Sequence, residues 1–207
     1  MSIAIYNIKG GTGKTTISVQ LARALGYMYV SNDPHAGAQN LFNENEGFLI
    51  PEELEEIPFE NGLVFDFGGF KDVRIKTILQ QCSAVVIPTL TSVLDVQSTL
   101  AILKDISELN KNIIVVINRI KPDYSKKNKF AKPEILEEYF RSELAKRDVE
   151  FDTLNFVYLK ESTLLEDCLF DCKSVFEKVG DDKFLKHIYR VVLEDISNIK
   201  TKIEEVA

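Results

Sequence analysis

The segment Ile8 to Thr16, IKGGTGKTT, constrains this chain more than any other. It stands between a short apolar run, Ser2 to Tyr6, and a stretch of helical period beginning near Thr15. A strand, a glycine-rich turn and a helix in that order aim several backbone N–H groups and the positive end of a helix at one point, which favours phosphate oxygens. Gly10, Gly11 and Gly13 let the backbone approach closely, and Thr12 and Thr16 lie in the same turn. Against the usual pattern G-x-x-x-x-G-K-[ST], Lys14 is placed to hold β- and γ-phosphates and the Thr15 hydroxyl to ligate Mg²⁺. The first glycine of that pattern is replaced by Ile8, and a second lysine, Lys9, follows it.

Beyond the loop, short apolar runs alternate with longer stretches of helical period, as crossover units on a parallel sheet require. Strands are expected at Ser2–Tyr6, Tyr27–Ser31, Leu63–Phe67, Ala84–Ile87, Asn112–Asn118 and Asn155–Leu159. Helices are expected near Thr15–Leu25, Asp72–Gln81, Val93–Asn110 and Pro133–Lys146, with two more after the last strand. Pro133 suits a first helical turn, where its missing N–H costs nothing. The pattern predicts an α/β fold, a doubly wound and mainly parallel sheet flanked by helices, of the P-loop NTPase kind. With 207 residues and 45% hydrophobic composition, one core and a single domain over 1–207 are expected.

The formal charge of −7 argues against wholesale coating of nucleic acid but leaves room for a basic region. Charge is unevenly placed: Asn43–Glu60 holds seven glutamates and no base, whereas Lys104–Lys132 holds eight Lys or Arg against three acids. Three cysteines, Cys82, Cys168 and Cys172, are an odd number with no export signal ahead of them, which points to packing thiols in a reducing cytoplasm. No apolar run reaches the roughly 18 residues of a membrane span. A stripe of Leu185, Ile188, Val192, Ile196 and Ile199 predicts one C-terminal helix docked on the core, with Lys183, Lys186 and Arg190 on its wet side.

KGGTGKTT after the dipeptide YN resembles the deviant Walker A motif, K-G-G-x-G-K-[ST], of the ParA/MinD superfamily of ATPases, a branch of the SIMIBI class. The resemblance has good motif specificity from Met1 to about Asn118 and continues more faintly beyond. It implies that Lys9 reaches across a homodimer to the phosphates of the nucleotide bound by the other copy, so the missing glycine is not damage. LVFDFGG looks like the Walker B strand end: Asp66 would orient Mg²⁺ through water, and Gly68 and Gly69 would let a second switch loop offer N–H groups to the γ-phosphate. SNDPHAG looks like switch I, commonly D-x-D-P-Q. Asp33 matches the second aspartate, which positions the attacking water, whereas Ser31 and His35 depart from the pattern. At VVINRIKPD, a guanine site would read N-K-x-D, but Arg119 and Lys121 occupy the Lys and Asp places. ATP is therefore the expected nucleotide, with Asn118 beside adenine as in the family and Arg119 close by.

Most similar are the short ParA-type partition ATPases, because the chain starts at its first strand without the N-terminal DNA-binding extension of the long forms. The resemblance implies an ATP-bound homodimer, slow ATP hydrolysis stimulated by a centromere-binding protein (ParB-like or a small ribbon-helix-helix protein), and non-specific DNA binding at the nucleoid without a membrane. Lys126, Lys127, Lys129, Lys132, Lys183, Lys186 and Arg190 are the candidates for a DNA surface, with ordinary solvated lysines as the competing reading. A MinD-like ATPase that positions a protein cargo without DNA is the alternative. Ligases of the dethiobiotin synthetase type and nitrogenase-type reductases share the scaffold. The first would need a substrate pocket that no motif marks, the second a pair of ligating cysteines to which Cys82 has no match.

Overall fold

The computed structural model describes residues 1–33, 38–43, 45–51, 54–68, 73–121, 133–147 and 154–207. Seven strands, β1 (Ile3–Ile5), β2 (Met28–Ser31), β3 (Gly47–Leu49), β4 (Leu63–Asp66), β5 (Ala84–Thr89), β6 (Ile113–Ile120) and β7 (Leu154–Lys160), form one sheet in the order β3-β2-β4-β1-β5-β6-β7. Every pairing is parallel. The helices are α1 (Lys14–Leu25), α2 (Arg74–Gln81), α3 (Val93–Leu109), α4 (Pro133–Ala145), α5 (Thr163–Phe170), α6 (Val175–Val179), α7 (Lys183–Ile188) and α8 (Arg190–Val206).

The central strands are buried on both faces, so they read as unbroken apolar runs rather than alternating ones. Along β6, Ile113, Val115 and Ile117 turn to the core formed with α2, α3 and α4, while Ile114 and Val116 turn to the core formed with α1, α5, α6 and α8. This is the doubly wound architecture expected from the alternating runs. The order places β1 between β4 and β5, and the chain winds first to one side of β1 and then to the other. In such sheets the crevice at the carboxyl ends of the strands, where the winding reverses, is where ligands bind.

Two parts differ from expectation. The acidic segment contains β3, a three-residue edge strand parallel to β2, preceded by a 3-10 turn at Ala38–Leu41. Its brevity and single paired side leave almost no apolar pattern to detect. After β7 there are four helices, not two. Cys172 takes a left-handed φ of 51° and ends the turn after α5. Ser174 and Glu177 then form a capping box that starts α6, and Asp182 caps α7 through the N–H groups of Phe184 and Leu185.

The expected C-terminal helix is broken at Tyr189, which ends α7 and precedes α8. Ile188, Tyr189, Val191 and Val192 form a β-branched and aromatic run of weak helix propensity, and the break resets the register. Val192, Ile196, Ile199 and Ile203 are buried as a stripe, but Ile188 is 50% and Phe184 70% exposed. No helix among the described residues is long and apolar enough to cross a membrane.

Candidate nucleotide site

The glycine loop is held at both ends by buried asparagines. Asn7, just past β1, donates through Nδ2 to the Pro88 carbonyl (2.8 Å) and to Thr99 Oγ1 (3.0 Å), and its Oδ1 accepts from the Lys9 N–H (3.0 Å). The loop entrance is thereby tied to the end of β5 and to α3. At the exit, Asn118 Nδ2 donates to the Thr12 carbonyl (2.8 Å), while its Oδ1 accepts from the Arg119 N–H (2.8 Å). Arg119 sits at φ 53° in the irregularity of β6 between Ile117 and Ile120. The Asn118 amide thus braces the loop at its exit through the Thr12 carbonyl, with its oxygen taken by the Arg119 N–H.

Gly13 precedes α1 with φ 94°, and a Cβ there would lie 2.2 Å from Asn118 Nδ2. Glycine is required for dihedral and for space. No side chain caps the first turn of α1. Its N–H groups are thus left for a ligand, the condition under which a helix N-terminus binds an anion.

The loop borders a cleft of about 420 Å³. Gly10, Gly11, Gly13, Lys14, Thr15 and Thr16 line it from the loop and first turn, Asp33 from the end of β2, Asp66 and Gly68 from the end of β4, and Arg119 from the end of β6. Residues from four separate sequence segments therefore meet at one point. Lys14 Nζ donates to the Lys9 carbonyl (3.2 Å). Burial lowers the Lys14 pKa, and the Asp66 and Asp33 carboxylates oppose that shift. Lys9 is half-buried, and among the described residues its side chain makes no hydrogen bond or ion pair.

Asp66 is 2% exposed. Its Oδ2 accepts a 2.7 Å hydrogen bond from the Tyr29 hydroxyl, and its Oδ1 is buried with no hydrogen-bond partner. Burial raises the Asp66 pKa, with Tyr29, Thr15, Lys14 and Ser18 acting in the opposite sense. The Ser18 hydroxyl donates to the Lys14 carbonyl (2.9 Å), so that proton does not reach Oδ1. A buried carboxylate oxygen without a donor needs a cation or water. Among the described residues no cluster of three or more His, Cys, Asp or Glu could cage a metal alone. One carboxylate plus the Thr15 hydroxyl instead fits Mg²⁺, which takes few protein oxygens and completes its shell with phosphates and water.

Residues 3–151 match the family model described as the CobQ/CobB/MinD/ParA nucleotide binding domain. The chain belongs to this family. No curated protein sequence matches it. Solved structures of the ParA/MinD family superpose over nearly the whole chain. One is a Borrelia burgdorferi protein described as a plasmid partition protein and bound to AMPPNP, at 18% identity and TM-score 0.60, covering 96% of this chain and 98% of the other. Another is an ATP complex of a Cyanothece McdA variant, at 12% identity and TM-score 0.62, covering 98% and 96%. A third is the Pyrococcus horikoshii septum site-determining protein MinD with Mg-ADP, at 13% identity and TM-score 0.59, covering 97% and 98%. At these identities the likeness is one of fold.

Where the family pattern carries its first switch aspartate, Ser31 is fully buried in register with Asp66, and its Oγ accepts from the Asp33 N–H (3.1 Å). The serine keeps an acceptor there without placing a second carboxylate beside Asp66. Asn32 Oδ1 accepts from the Gly68 N–H (2.8 Å), joining the segments after β2 and β4. Asn7, Tyr29 and Asn32 were not marked by sequence, since nothing local separates a bracing polar group from an ordinary one. Gly69 and His35 lie outside the described residues, as do Lys126, Lys127, Lys129 and Lys132.

Lys183, Lys186 and Arg190 are exposed on α7 and at the start of α8. Lys186 pairs with Asp181 (3.0 Å) and Arg190 lies 3.7 Å from Glu194, so this face mixes both signs. Cys82, Cys168 and Cys172 are free and buried. Burial pushes the Cys82 thiol up to about 12 and the Cys168 thiol up to about 11, which suits packing thiols rather than metal ligands.

Proposed function

We propose that the protein is an ATP-driven association switch: two copies close around two ATP molecules, and slow hydrolysis reopens them. The observation that carries this reading is the pair of lysines. Lys14 lines the cleft, where it would serve the cis phosphates, while the Lys9 ammonium is uncommitted at the loop and half-buried, free for an anion that arrives with a second copy. Loop N–H groups and Lys14 bind the phosphates, Asp33 positions the attacking water, and Thr15 and Asp66 hold Mg²⁺, which would neutralise developing charge on the phosphates. Dimer affinity then depends on the γ-phosphate by mass action.

Sedimentation with ADP, ATP and a slowly hydrolysed analogue tests this. The wild type should shift to dimer only with a triphosphate, and Lys9→Ala should stay monomeric while still binding nucleotide. Dimerisation of Lys9→Ala equal to that of wild type would refute the trans role of Lys9.

For its use, we favour a ParA-like partition system: the ATP-bound dimer binds DNA without sequence preference, at the nucleoid and not at a membrane, and a centromere-binding protein stimulates hydrolysis. A MinD-like reading, with a protein cargo and no DNA, is favoured by one observation, the carboxylates that already partner Lys186 and Arg190. Binding of the ATP-loaded protein to plain duplex DNA decides between them. The partition reading expects affinity that falls steeply with salt, and no binding even at low salt would leave the protein-cargo reading.

A further inference from the structure

We propose that Tyr29 is a positioning residue for the cation at this site: its buried hydroxyl fixes Asp66 Oδ2, so that Oδ1 is the oxygen presented to Mg²⁺. This rests on the nucleotide-site reading given above. The geometry is specific. Tyr29 and Ser31 project to the same face of β2, and Asp66 pairs with Ser31 in the parallel register. Tyr29 therefore reaches diagonally, across one strand spacing and two residues along, a distance that a long aromatic side chain spans. Its hydroxyl meets Oδ2 at 2.7 Å, and it is a donor because an ionised carboxylate only accepts.

Burial alone does not call for this hydroxyl, since phenylalanine would fill the same space without a polar atom to satisfy. The ring is held from behind. It stacks on Phe42 with centroids 4.8 Å apart and planes within 5°. Phe42 in turn lies under the Arg23 guanidinium, 4.9 Å from its ring centroid, and Arg23 pairs with Glu46 (3.2 Å). Tyr29 is 0% exposed, so the ring has no open side into which to swing. A carboxylate with one oxygen clamped and the other unpartnered is directed to bind through a single atom. Such supporting groups fix ligand orientation, and removing one weakens metal affinity about 10- to 100-fold.

The test is Tyr29→Phe, read as the Mg²⁺ concentration that half-saturates binding of a fluorescent ATP analogue, with the metal-free affinity measured in EDTA. The positioning role expects the half-saturating Mg²⁺ to rise about tenfold, with affinity in EDTA within about twofold of wild type. A merely structural role moves both in parallel, and that result, or an unchanged Mg²⁺ requirement, overturns the proposal. Phe42→Leu, which loosens the ring and removes no polar group, should raise the Mg²⁺ requirement less, and should add nothing in the Tyr29→Phe background. Additive effects there would overturn the clamp, and should Tyr29→Phe not fold, an unchanged Mg²⁺ requirement in Phe42→Leu would do so. A wild-type protein that binds the analogue without any Mg²⁺ dependence would instead remove the metal reading of Asp66 itself.

Discussion

Lys14→Ala should lose ATP binding while leaving the nucleotide-free protein at least as stable as wild type. In the absence of ligand the Lys14 ammonium is more than half buried, donates to one carbonyl and has its pKa lowered by that burial. Because the folded state disfavours its charged form, removing the charge removes a desolvation cost at neutral pH. With nucleotide present the balance reverses. Each charge-assisted hydrogen bond to a phosphate is worth about 1.5 to 3 kcal/mol, so two of them amount to about 3 to 6 kcal/mol, or roughly a hundred- to ten-thousand-fold in Kd. Thermal unfolding with and without Mg-ATP reads both halves: an equal or higher Tm without nucleotide, and no rise on adding it. A preserved ATP-dependent rise would show that the loop N–H groups suffice and that Lys14 is dispensable.

Gly13→Ala is the other large effect, and it comes from packing rather than charge. At φ 94° an L-residue bears a steric cost of roughly 1 to 2 kcal/mol. Its Cβ would also stand 2.2 Å from Asn118 Nδ2, so the amide must leave the Thr12 carbonyl, at about 1 to 3 kcal/mol more. A loss of about 2 to 5 kcal/mol corresponds to a fall in Tm of roughly 4 to 20 °C for a chain of this size. Adding Asn118→Ala relieves the collision but not the dihedral, so the double variant should melt higher than the sum of the single effects predicts. Strict additivity would mean that Asn118 does not brace the loop.

The parallel fold and the site were legible in the sequence for different reasons. Strands buried on both faces have to be apolar throughout, so runs such as Ile113 to Ile117 stand out against amphipathic helices without any tertiary information. Lys14, Thr15 and the three glycines were legible because phosphate binding by backbone N–H imposes a fixed local spacing. Asp66 and Asp33 were legible because each sits where a strand ends. Much of what was not legible depends on residues far apart in the chain. The edge strand β3 exists through its pairing with β2, whereas the break at Tyr189 rests on a local stretch of weak helix propensity that the apolar stripe outweighed in the sequence reading.

The sequence alone determined that this chain folds as a doubly wound parallel sheet with a two-lysine phosphate loop at its first strand–helix junction, because local spacing and periodicity carry that information. Only the tertiary structure decided how the site is held. It turned Asn118 inward to the loop, tied Asn7 to Thr99 and placed the Tyr29 hydroxyl on Asp66, across 106, 92 and 37 residues of sequence. A buried hydrogen bond between distant residues leaves no period and no spacing in the chain, and it becomes visible only when the sheet brings the strand ends together.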